Sequence, residues 1–129
     1  MLKASVLIVG DDPHLLRMQT ELLCDYQVVT ACSREAREAI WTYAFDLLIV
    51  GQTVPETSAR SLLAQASKLQ PQPKTLLICR QYREWHLGSA AFYTVTSTHP
   101  FEFQTAVARL LACDQSQALE IARLRKMVS

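Results

Sequence analysis

Glycine is scarce: Gly10, Gly51 and Gly88 are the three in 129 residues. The chain therefore has no GxGxxG or P-loop run with which to cradle a nucleotide phosphate, and the region of Thr53 and Ser58 supplies too few loop donors for a flavodoxin-type nucleotide site. Cysteine is limited to Cys24, Cys32, Cys79 and Cys113, with no CxxC pair and no zinc-type cluster with the three histidines. These cysteines read as buried, reduced residues of a cytosolic protein. Charge of one sign is lacking too, because 13 Lys and Arg face 12 Asp and Glu for a formal net charge of +1. No global field draws such a chain to nucleic acid or to an anionic membrane. Arg123, Arg125 and Lys126 against Glu120 read as a solvated face, so direct nucleic-acid binding is not expected. Apolar runs stay far short of the roughly 20 residues that span a bilayer, and nothing resembles a secretory signal. A cytoplasmic location without membrane association is the expectation.

What is present is a half-hydrophobic, 19% charged chain, the composition of a single domain with a real core. Ser5–Val9 is an apolar, branched run halted by Gly10, Asp11, Asp12 and Pro13, and it reads as a buried strand feeding a loop. A helix follows from Pro13 to Leu23, with Leu15, Leu16, Met18, Leu22 and Leu23 at helical spacing, Asp12 as its cap and Pro13 at its first position. The unit repeats. Strands are expected at 27–31, 46–50, 75–79 and 91–95, and helices at 34–43, capped by Ser33, and at 56–68, where Ala59, Leu62, Leu63, Ala66 and Leu69 form the stripe. A short helix or turn is expected over 83–88. A last helix from about Phe101 turns Phe103, Val107, Leu110 and Leu111 inward and is allowed to continue through Leu119, Ile121 and Leu124. Near-continuous apolar strands alternating with helices imply a parallel sheet covered on both faces, a three-layer α/β sandwich. In such sheets function sits at the C-terminal strand ends, near the reversal of strand order. Here those ends are Gly10 to Asp12, Gly51 to Gln52, Cys79 to Arg80, and Thr96 to Pro100.

LIVGDDP at 7–13, DLLIVGQTVPETSA at 46–59, KTLLICR at 74–80 and THPFEF at 98–103 occur in an order and spacing that resemble a response-regulator receiver domain. The resemblance covers about residues 3 to 112. It implies a flavodoxin/CheY-like, five-stranded parallel sheet of order 2-1-3-4-5 with flanking helices. It also implies a receiver-like domain over 1–112, followed over 113–129 by a helical extension or a linker to an absent output domain.

Receivers take a phosphoryl group on an Asp at the end of the third strand, with acidic residues after the first strand holding Mg²⁺ and a Lys and a Thr or Ser contacting the phosphoryl oxygens. In-line transfer requires such a nucleophile, a divalent ion and preorganised donors. The resemblance places Gly51 at the phosphoacceptor position, and glycine has nothing with which to attack phosphorus. Gly10 stands for the first acidic residue, Asp11 for the second, and Asp12 for the frequent flanking acid. Cys79 replaces the switch hydroxyl and His99 the Lys, while Pro100 is retained. Asp11 and Asp12 are thus the candidates for Mg²⁺, a poor donor set in which only one carboxylate comes from the pocket itself. No other cofactor is expected. Asp46 opens its strand and belongs at the far end of the sheet. Phe101 and Phe103 read as packing anchors.

The implied function is a degenerate receiver, a signalling module of the two-component type that acts by protein–protein interaction without Asp phosphorylation and without enzymatic activity. Its implied partners are a histidine kinase, a fused output domain or a second copy of the chain. Tyr82, Trp85, Leu87, Phe92 and Tyr93 cluster as one candidate contact. Leu119, Ala122 and Leu124, with Met127 or Val128, offer another on a terminal helix. Two alternatives stay open: a phosphorelay regulator with a displaced acceptor at Asp11 or Asp12, and an enzyme using a Cys79 thiolate beside His99.

Overall fold

The structure, a computed structural model, describes residues 4–69, 72–78 and 94–112. Eight elements follow in order: β1 (Ser5–Val9), α1 (Pro13–Leu22), β2 (Gln27–Ala31), α2 (Ala36–Thr42), β3 (Leu47–Val50), α3 (Glu56–Ala66), β4 (Lys74–Ile78) and β5 (Thr94–Thr96). A fourth helix, α4, is described over residues 100–112. All strand pairings are parallel, and the spatial order runs β2-β1-β3-β4-β5.

Five full strands over-read this sheet. Its body is the four-stranded parallel set β2-β1-β3-β4, accompanied by four described helices. At the β4 edge the fifth segment is described as a three-residue pairing, Leu76 with Thr94 through Ile78 with Thr96, and positions 91–93 of the strand expected over 91–95 fall outside the described residues. The physical reason lies in composition. The body strands β1, β3 and β4 are runs of Val, Leu and Ile, whereas the edge segment is Thr-Val-Thr, a short edge that needs burial on fewer sides.

Alternation along the strands divides the core in two. Leu7 and Val9 of β1, Leu48 and Val50 of β3 and Leu77 of β4 pack with Ala36, Ala39 and Ile40 of α2 and Ala59, Leu62, Leu63 and Ala66 of α3. Val6, Ile8, Leu47, Ile49, Leu76 and Ile78 point the other way and pack with Leu23 and with Phe103, Val107 and Leu111 of α4. Successive side chains of a strand face opposite sides, so the unbroken apolar strands are accounted for by two covered faces. Burying each such side chain contributes about 1.5–3 kcal/mol. Hydrophobic burial therefore dominates the stability of this region.

Several local expectations need correction. On α1, Met18 is 41% exposed while Gln19 is buried, because Leu16, Gln19 and Leu23 share the inner line at i, i+3 and i+7. Phe101 is 70% exposed although Phe103 is buried. Two positions rotate about 200° around a helix, so the pair cannot share one face. Ser33 does not cap α2, which begins after Glu35 without a side-chain cap. Cys24 is exposed and Cys32 is half-buried rather than both lying in the core. Asp12 does cap α1, accepting from the His14 N–H at 2.9 Å, with Pro13 at the first helical turn.

Among the described residues no helix is long and apolar enough to cross a membrane. Expectations for 83–88, for Cys79 and Arg80, for Tyr82, Trp85, Leu87, Phe92 and Tyr93, and for the segment 113–129 with Leu119, Ala122, Leu124, Met127 and Val128 fall outside the described residues.

Candidate functional site

Parallel register aligns the strand ends into one rim. Val9 pairs with both Ala31 and Val50, and Val50 pairs with Leu77, so the residues that follow emerge side by side. Gly10 donates its N–H to the Ala31 carbonyl at 3.0 Å, and Gly51 donates to the Val9 carbonyl at 2.8 Å. Gly10 and Gly51 are thus adjacent and both buried. A Cβ built on Gly51 would sit 3.1 Å from the Val9 carbonyl oxygen and 3.7 Å from the Gly10 Cα. One on Gly10 would meet the Leu16 side chain at 3.1 Å. Neither glycine has a left-handed φ, so close approach, not backbone conformation, is what their small size serves.

The acidic loop is engaged elsewhere. Asp11 accepts twice from Ser33, from its N–H at 2.8 Å through Oδ1 and from its hydroxyl at 3.0 Å through Oδ2. Its own N–H donates to the Thr53 hydroxyl at 2.9 Å. Asp11 therefore ties the loops after β1, β2 and β3 into one rim structure. Asp12 is the α1 cap already described. Asp46 lies at the opposite end, where it accepts from the Ser5 N–H at 2.9 Å.

At the fifth rim position, His99 receives the Phe101 N–H on Nδ1 at 3.2 Å, and its own N–H donates to the Ser97 hydroxyl at 3.3 Å. Its carbonyl accepts from the Phe103 N–H at 3.0 Å. Ser97 in turn bonds Glu102. His99 and Pro100 thus form the start of α4, both exposed, with the imidazole spent on the helix's own backbone.

Receiver chemistry would place Mg²⁺ here, and the donors do not fit it. Gly10 and Gly51 carry no oxygen-bearing side chain, both Asp11 oxygens are bonded to Ser33, and an Asp12 oxygen caps α1. Among the described residues no group of three or more His, Cys, Asp or Glu gathers for a metal ion. The rim unites Gly10, Asp11, Asp12, Gly51, His99 and Pro100 in one region, with Cys79 outside the described residues.

Sequence reasoning missed the Asp11–Ser33 pair and the Thr53 clasp. Asp-Asp-Pro and Cys-Ser-Arg carry no spacing signal for a contact 22 residues apart, and only the β1–β2 register brings them together. The arginine–hydroxyl contact of Arg37 with Ser61, at 3.1 Å between α2 and α3, was missed for the same reason.

No family model matches this chain, and no curated protein matches its sequence. Solved structures do match. A response-regulator receiver domain protein (CheY-like) from Methanospirillum hungatei JF-1 superposes with a TM-score of 0.74 at 23% identity, covering 91% of this chain and 99% of that one. The signal receiver domain of an HD domain-containing protein from Pseudomonas fluorescens Pf-5 also gives 0.74, at 18% identity, with 88% and 98% covered. A structure of the histidine kinase ThkA in complex with the response regulator TrrA, the latter from Thermotoga maritima, gives 0.68 at 26% identity, with 84% and 98% covered. The fold of this chain is that of a CheY-like receiver domain.

Proposed function

We propose that this chain is a receiver-like signalling module that works through protein–protein contact and does not carry a phosphoryl group on an aspartate. One observation carries the reading: the residue at the end of β3, where the resemblance puts the acceptor, is Gly51, packed against the Val9 carbonyl with no room for even a Cβ without adjustment. Both neighbouring acids are occupied as structural acceptors, which also speaks against a displaced acceptor at Asp11 or Asp12. The reading includes no enzymatic activity. The ThkA–TrrA complex supports a histidine kinase as the class of partner, recognised through the fold's surface rather than through phosphoryl transfer.

Beryllofluoride with Mg²⁺ tests this directly, because it mimics a phosphoryl group only where a receptive carboxylate and metal site exist. Amide-detected NMR is expected to show no change at Gly10, Asp11, Gly51, Gln52 or Thr53 on adding both. Saturable shifts at these positions, dependent on Mg²⁺, would restore a phosphoacceptor to the rim and overturn the proposal.

A further inference from the structure

Away from the acceptor position, a cleft of about 270 Å³ is lined by Ser33 after β2, by Arg37 of α2 and by Thr57, Ser58, Ser61 and Leu62 of α3. Only Leu62 among these is apolar. Arg37 is exposed and reaches across to the Ser61 hydroxyl at 3.1 Å, while the ion pair of α3, Arg60 with Glu56, involves no residue that lines the cleft. Asp11, behind Ser33, has both carboxylate oxygens bonded to the Ser33 N–H and hydroxyl. Arg37 accordingly brings to the cleft a guanidinium that shares no carboxylate among the described residues.

We propose that this cleft binds a small phosphate monoester. Arginine's planar fork can donate two parallel N–H bonds to a phosphate, and charge-assisted bonds of this kind are about twice as strong as neutral ones. Ser61 accepts from Arg37 through its oxygen, which leaves its own O–H free to donate in relay. Ser58 and Thr57, on the first turn of α3, supply further hydroxyl donors from a second direction. Three hydroxyls and a fork spread over two helices suit the three terminal oxygens of a monoester better than the two coplanar oxygens of a carboxylate. The cleft volume falls near the lower edge of small-molecule pockets, roughly 300 Å³, which favours a compact metabolite over an extended chain. Ser33 links the cleft to Asp11, and Asp11 to Thr53, so occupancy is transmitted to the rim by existing hydrogen bonds. The site is independent of whether the rim carries an acceptor.

The experiment titrates the full chain with inorganic phosphate in amide-detected NMR at constant ionic strength, with acetate as the comparison anion. Glycerol phosphate and a phosphoserine peptide then serve as the two source arms. Saturable shifts are expected at Ser33, Thr57, Ser58 and Ser61 and onward at Asp11, with acetate much weaker and glycerol phosphate binding at least as well as phosphate. Arg37→Gln should weaken binding by about tenfold or more, and Arg37→Lys by severalfold because the charge stays but the fork is lost. Ser61→Ala should also weaken it severalfold. Arg37 is exposed and Ser61 half-buried at the cleft wall, so the variants are expected to keep the fold, and otherwise unchanged spectra verify it. Shifts that do not saturate, that are indifferent to Arg37→Gln, or that appear with the peptide but not with glycerol phosphate would overturn the proposal.

Discussion

The interior of the sheet and its C-terminal rim are separated by a single residue in two places, Val9 against Gly10 and Val50 against Gly51. On the inner side of that step every position of β1 from Val6, of β3 and of β4 from Thr75 is buried, and each alternates between two helical layers. On the outer side stand two glycines, an aspartate bonded to a serine, and a histidine spent on a helix start. A receiver's architecture is an extensive property, distributed over some two dozen apolar side chains. Its chemistry is local, resting on a handful of rim residues. The two are therefore separable, and on the proposed reading this chain keeps the first while the described rim residues serve as structure.

Ile49→Ala breaks the comparison from the inside and carries the largest effect. Ile49 is fully buried in the middle of β3, so its truncation is expected to cost about 2–5 kcal/mol in chemical denaturation. A loss below about 1 kcal/mol would mean that the core does not close as described. Gly51→Asp attacks from the rim. The added Cβ presses on the Val9 carbonyl at 3.1 Å, and a cost of about 1–3 kcal/mol is expected as backbone shifts to accept it. The same variant should gain no Mg²⁺-dependent phosphoryl adduct by mass spectrometry, because Asp11 stays bound to Ser33 and Gly10 supplies nothing opposite. Asp11→Ala should have the smallest effect, about 1 kcal/mol, since the Ser33 groups it releases are near solvent and can bond water instead. Its amide spectrum should change at Ser33 and Thr53 while the sheet stays intact.

The legibility of the sequence follows the same division. Strands β1, β3 and β4 were readable because runs such as LIV and LLIV are short, rich in branched residues and, for β1 and β3, followed by glycine, which favours strands of a sheet covered on both faces over buried helix. The α3 stripe was readable from Ala59, Leu62, Leu63 and Ala66 at 3.6-residue spacing, and all four are buried. The place of Gly51 directly after β3 was readable because it ends an apolar strand where the resemblance calls for Asp. What escaped was set by three-dimensional register or by helix phase. The edge segment Thr94–Thr96 is too short for periodicity to place, and Phe101 faces solvent because its phase differs from that of Phe103. Asp11 found Ser33, and Arg37 found Ser61, through contacts that no local spacing encodes.

The central claim is that a receiver fold persists here without its acceptor chemistry. Intact-mass spectrometry after incubation with Mg²⁺ and acetyl phosphate, with peptide mapping and a folded-state spectrum from the same sample, tests it most directly. The account expects the folded chain to show no added phosphoryl mass. A stoichiometric, Mg²⁺-dependent adduct mapped to Asp11 or Asp12 would contradict it and return the rim to phosphoryl transfer.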